Sequence, residues 1–183
     1  MSFRSTPAAW GAGARAFHWI GAALVLFLIA YGWWMTHMPE RGARLGHYHL
    51  HSIVAMYFVL LLALRFVWRA MDTTPLQPAA SKPWERTSAH AGHAALYVLM
   101  IGVVASGWVL WSAFPRRAPV EVLGVRIPFL FAEPDNAISH VAEDVHKWLS
   151  YALLAVIVIH VAAALRHHFV KRNDVLRRML RGV

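Results

Sequence analysis

A chain of 183 residues that is 58% hydrophobic, with a mean hydropathy of +0.45, is too apolar for an ordinary soluble domain; its length suits one small membrane domain. The absence of cysteine excludes disulfides, thiolate metal sites and any cofactor tethered through a C-x-x-C-H motif. A net charge of +9 would suit nucleic acid, but its placement along the chain points to a membrane instead.

Taken in chain order, four segments predict transmembrane helices. The first covers residues 17–35 and carries no charged side chain. Arg4 and Arg15 ahead of it resemble the charged start of a signal peptide, yet the apolar run is too long and Trp33-Trp34-Met35 offers no small-residue cleavage site. A retained span is therefore expected. Glu40 to Arg44 reads as a short polar turn. The second span covers 45–69, with His47, His49 and His51 in its first turns. Asp72 to Arg86 reads as a loop containing Pro, Ser and Thr, with no apolar core of its own. The third span covers 89–114. Pro115 to Val145 is the longest connection, with a short strand or turn expected within Val120 to Pro128 and an acidic stretch from Glu133 to Asp144. The fourth span covers 146–168, uncharged from Trp148 to Leu165. Trp19, Trp33, Trp34, Trp68, Trp108, Trp111 and Trp148 lie toward span ends, as aromatic belts do. The expected fold is an all-α membrane protein, a single four-helix transmembrane bundle over residues 1–183.

Charge orients the bundle. The N-terminus, the loop after the second span and the C-terminal tail hold twelve of the eighteen basic residues against three acids; the opposite side holds six of each. The positive-inside rule then places both termini in the cytoplasm, with the basic tail meeting anionic lipid and no nucleic acid.

Ionisable groups inside a bilayer are costly and usually functional. His146 and His160 are fourteen residues apart on the fourth span. At ~100° per residue that is ~40° short of four turns, so both rings leave one side, ~21 Å apart along the axis. His18 lies early in the first span and His51 opens the apolar part of the second. By depth the four form two layers, His18 with His160 toward the cytoplasm and His51 with His146 toward the outside. Two imidazoles per layer from different helices is what a bis-histidine haem needs. His47 shares a face with His51 at i, i+4, so His47 or His49 stays open as an alternative to His51. Gly102, Ala105, Gly107 and Ala162 to Ala164 suit either a cofactor slot or close helix packing. Layers ~20 Å apart cannot close one tetrahedral zinc site with all four rings. No span interior contains Asp or Glu, which argues against an ion-coupled transporter.

The residues Phe17-His18-Trp19, His51 followed fourteen residues later by Arg65, Ala89-His90-Ala91-Gly92-His93, and His146 with His160 followed by Val-Ala-Ala-Ala-Leu-Arg and His167-His168 together resemble the bacterial cytochrome b561 family, in particular its short di-haem members. The resemblance runs nearly the full length, and its specific part is the pair of fourteen-residue spacings. It implies two non-covalent b haems with His18, His51, His146 and His160 as axial ligands to iron. It further implies one-electron oxidation of superoxide on the periplasmic side, with ubiquinone as acceptor.

On that resemblance Arg15, Arg65 and Arg69 are candidates for pairing with haem propionates, with snorkelling as the alternative. His167 and His168 are candidates for the quinone site. His90 or His93 would make a polar contact to the inner haem or quinone. Arg116, Arg117, Arg126 and Lys147 are the bases on the side where a superoxide anion would arrive. The alternative function is a cytochrome b subunit that passes quinol electrons to a periplasmic partner. A non-redox protein using histidines for metal passage or structure is the third class. The oligomeric state is not legible in the sequence.

Overall fold

The computed structural model describes residues 2–76 and 82–182, with Arg41 described by its backbone alone. Residues 77–81 of the expected Asp72–Arg86 loop lie outside the described residues. The elements in chain order are α1 (Ala12–Thr36), α2 (Arg41–Met71), α3 (Pro83–Ala113), β1 (Val120–Val122), β2 (Val125–Ile127), α4 (Asn136–Phe169) and α5 (Val175–Arg181). The chain is an all-α membrane protein: α1 to α4 are each long and apolar enough to cross a bilayer, with mean hydropathies of 1.7 to 2.2. Their apolar side chains remain largely uncovered by protein, as Trp33, Val98 and Val158 show. In lipid that exposure carries no hydrophobic penalty.

Every long helix overshoots its apolar run. Hydropathy marks only where the bilayer lies, and a helix continues past it wherever its end groups are satisfied. Glu40 to Arg44, expected as a turn, is helical from Arg41. Pro83 to Arg86, expected as loop, is the first turn of α3. Pro83 sits at the first helical position, where its missing N–H costs nothing, and Glu85 Oε2 accepts the Lys82 N–H at 3.0 Å. The acidic stretch before the fourth span is helical from Asn136, because Asp135 Oδ1 caps the Ile138 N–H at 3.0 Å. α5 was not anticipated; Asp174 accepts from Arg178 Nε at 2.7 Å across its first turn. The expected strand or turn is a hairpin, pairing Val120 with Ile127 and Val122 with Val125. Leu123 and Gly124 carry φ of 51° and 80°, the two positive values of a type I′ turn.

The chain divides into two compact units. The first comprises residues 1–22, 61–97 and 155–183; the second comprises 23–60 and 98–154. In the second unit Phe58, Leu153, Ser112 and Ala113 are buried, and the Trp111 Nε1–H donates to the Ala118 carbonyl at 3.1 Å. Arg117 is spent there on carbonyls, donating to Phe131 at 2.9 Å, to Ala132 at 2.6 Å and to Ser112.

In the first unit two charged groups tie chain ends to helices. Glu85, 5% exposed, pairs with Arg166 at 3.4 Å and with Lys171. Asp72 accepts from the Ser5 N–H at 2.9 Å and from Ser5 Oγ at 2.5 Å, holding the N-terminal segment down. Desolvation pushes the Asp72 carboxyl up, but the hydrogen bonds from Ser5, Thr73 and Trp68 together outweigh it and hold it below its ordinary value. A carboxyl lowered in the folded state stabilises fully at neutral pH and loses that contribution as pH falls through its folded value. Asp72→Ala should therefore loosen residues 2–11 by about 1–3 kcal/mol at neutral pH. Hydrogen exchange of those amides should show faster exchange in the variant at pH 7, with the difference shrinking in acid.

Candidate functional site

Among the described residues each unit brings imidazoles from different helices together. In the first unit His18 of α1 faces His160 of α4 with ring centroids 6.3 Å apart and planes at 56°. In the second unit His51 of α2 faces His146 of α4, again at 6.3 Å, with planes at 87°. A ring nitrogen lies ~1.2 Å from the centroid and binds a metal at ~2.0–2.1 Å, so two imidazoles trans across one metal have centroids ~6.4 Å apart. Both pairs have the spacing of rings that share an ion. Among the described residues no three His, Asp or Glu side chains gather as a metal site. A metal held between two imidazoles would therefore take its other donors from a ligand such as a porphyrin.

The second unit fixes its rings closely. His146 Nδ1 approaches the Val103 carbonyl at 2.9 Å and Ser106 Oγ at 3.2 Å. A carbonyl only accepts, so Nδ1 carries the proton and Nε2 keeps its lone pair, the form in which an imidazole binds a metal. Gly107 makes this position possible. A Cβ there would lie 2.9 Å from His146 Cε1, closer than real Cβ atoms come, and a tight 3.1 Å from Nδ1. Gly32 faces His51 less closely, since a Cβ there would lie 3.4 Å from Cε1, an ordinary van der Waals contact. Gly102, by contrast, meets Leu149 and serves helix packing.

His51 and its two rivals have different surroundings. Tyr31 and His47 share a 2.6 Å hydrogen bond between the hydroxyl and Nδ1. His49 Nε2–H donates to the Pro119 carbonyl at 3.0 Å, and its ring stacks on Trp111. His51 alone of the three has a ring contact with His146, and its Nδ1 is buried with no hydrogen-bond partner among the described residues. Tyr31 also lies nearly parallel to His51, 7° between planes at 6.4 Å.

Of the three candidate propionate arginines, Arg65 stands beside a histidine pair. Its Nε donates to the Tyr97 hydroxyl at 3.2 Å, and Nη2 reaches to 3.5 Å from His18 Nδ1, the outer limit of a hydrogen bond. Arg15 donates to the Leu180 carbonyl at 3.2 Å. Arg69 lies over the Trp10 ring at 5.2 Å. His167 Nδ1 accepts from Asn173 Nδ2 at 2.8 Å, and His168 Nδ1 is buried without a partner among the described residues. On the expected superoxide side, Arg126 pairs with Glu121 at 3.6 Å and Lys147 with Asp144 at 3.9 Å. Arg116 is exposed and makes no ion pair among the described residues.

Tyr31, Tyr97 and Ser106 were not anticipated. Each is a polar residue within an apolar span, which is the one signal that could have marked them. Of His90 and His93, it is His93 whose ring meets His160, at 5.5 Å between centroids.

Residues 9–182 match the family described as Prokaryotic cytochrome b561. The chain is 33% identical over 185 residues to cytochrome b561 homolog 2 of Escherichia coli K12, covering 98% of this chain and 95% of that protein.

Proposed function

The chain belongs to the prokaryotic cytochrome b561 family of membrane proteins that transfer electrons and bind haem b, and on that footing we propose that it carries two haems, oxidises superoxide to oxygen and reduces ubiquinone. The observation that carries the two-haem reading is the recurrence of one spacing, 6.3 Å, in two separate histidine pairs. The choice of superoxide and ubiquinone is supported by the sequence motifs that the short di-haem members share. The reaction balances as two superoxide anions, one quinone and two protons giving two molecules of oxygen and one quinol.

The residues divide the work as follows. His18 with His160, and His51 with His146, would hold the two haems by their iron, and haem b when bound supplies a one-electron couple. Val103 and Ser106 keep His146 in the binding tautomer. Arg65 offers a guanidinium to a propionate beside His18. Arg116, which makes no ion pair among the described residues, would draw in a small anion on the periplasmic side of a bacterial inner membrane. His168, whose Nδ1 is buried without a hydrogen-bond partner among the described residues, and His167 would hydrogen-bond a quinone carbonyl near the cytoplasmic face.

Arg65→Gln should weaken one haem by roughly tenfold or more, the worth of about one charge-assisted hydrogen bond. Haem-to-protein ratios after detergent dilution should fall toward one for this variant and hold near two for the parent. The function itself is tested by rapid mixing of purified protein with superoxide in the presence of a short-chain ubiquinone. Fast appearance of the reduced haem spectrum followed by quinol formation is expected. Inertness to superoxide, with quinol reducing the haems, would instead favour electron delivery to a periplasmic partner.

A further inference from the structure

The AHAGH stretch, Ala89 to His93, is one motif that the proposed function leaves without a role. It places His93 on α3 with its ring 5.5 Å from that of His160, the planes at 59°. That spacing differs in a telling way from the 6.3 Å of the two facing pairs. Two imidazoles joined edge to edge by an N–H···N hydrogen bond have centroids ~5.3 Å apart, from two ~1.2 Å ring radii and a ~2.9 Å bond. The His93–His160 centroids lie ~0.2 Å beyond that distance, with no hydrogen bond formed between the rings, and are closer than two rings on opposite sides of one metal would be.

The second unit shows what such a neighbour does. There α3 supplies His146 with acceptors at Val103 and Ser106. His160 has no hydrogen-bond partner among the described residues. The group that α3 brings to His160 is His93. His93 is exposed, which leaves its ring free to turn a nitrogen toward His160.

We propose that His93 is the positioning residue of the first unit, accepting the ring N–H of His160 and so fixing its orientation and tautomer. The inference rests on the two-haem reading above. A neutral imidazole nitrogen is a stronger base than a backbone carbonyl, so it draws more negative character onto His160 than Val103 draws onto His146. The consequence is electronic. His160 becomes the better donor to ferric iron, and the haem of the first unit is held more oxidised than it would be without His93.

The experiment is a redox titration of the two-haem protein, read by visible and low-temperature electron paramagnetic resonance spectra, on the parent, His93→Ala and His93→Gln. The Gln carbonyl can accept the same hydrogen bond. His93→Ala should raise the potential of one haem and alter its low-spin signal, leaving the other haem unmoved. A tenfold loss of preference for the oxidised form would read as ~59 mV for this one-electron couple. His93→Gln should restore most of the parent value. If His93→Ala loses one haem outright, retention of that haem in His93→Gln near the parent potential supports the role, and its loss from both variants overturns it. Two haems at unchanged potentials and signals in His93→Ala would also overturn it, and would show a ring that merely anchors α3. A parent protein without haem would instead remove the reading beneath it.

Discussion

His51→Ala is expected to yield a protein with one haem b in place of two. His51 and His146 face each other at 6.3 Å and come from different helices, so neither ring can be replaced by a neighbour on its own turn. His47, the i, i+4 alternative on α2, is engaged with Tyr31 at 2.6 Å. On the proposed two-haem reading, loss of one imidazole would remove one of the two bonds by which the protein holds that iron. The same result is expected for His146→Ala, and for His18→Ala and His160→Ala at the other pair. His47→Ala should keep both haems, losing only its hydrogen bond to Tyr31. The measurement is a haem-to-protein ratio with a reduced-minus-oxidised spectrum for each variant. Two haems retained in His51→Ala, or one lost in His47→Ala, would show that the wrong residue of α2 has been assigned.

Gly107→Val should produce an equally large effect without touching a ligand. A single Cβ at Gly107 already lies within 2.9 Å of the His146 ring, and Val adds two branches to it. The ring cannot retreat freely, because its Nδ1 is tied to Val103 and Ser106 on the same helix. The helix backbone at Gly107 is likewise fixed by its own hydrogen-bond ladder. Displacement of His146 breaks the 6.3 Å relation to His51, and one haem should be lost while the first unit keeps its own. Gly102→Ala is the control, since its Cβ would meet the flexible Leu149 side chain at 3.4 Å. Equal haem content in Gly107→Val and Gly102→Ala would mean that His146 does not need that close approach.

The sequence made the spans and the depth of the four histidines legible, because hydropathy and helical periodicity are local properties. Which histidine meets which was also within reach, since depth along four antiparallel spans sorts rings into layers. The helix ends were not. They depend on single capping contacts, such as Asp135 to the Ile138 N–H and Glu85 to the Lys82 N–H, which leave almost no trace in composition. The choice among His47, His49 and His51 was also out of reach. It turns on Tyr31 and Pro119, residues remote in sequence that occupy the first two rings. Arg15, Arg65 and Arg69 looked equivalent, yet a carbonyl, a tyrosine beside His18 and a tryptophan ring separate them in space. Glu85 with Arg166 joins residues 81 apart, and no pattern in the chain announces such a pair.

The central claim is that each of two imidazole pairs grips one haem b. The direct measurement is the haem-to-protein ratio of the purified chain from haem-replete cells, with its redox difference spectrum. The account predicts two haems per chain and two separable low-spin signals, because the ring planes cross at 56° in one pair and 87° in the other. A ratio of one, or a colourless protein, would contradict it.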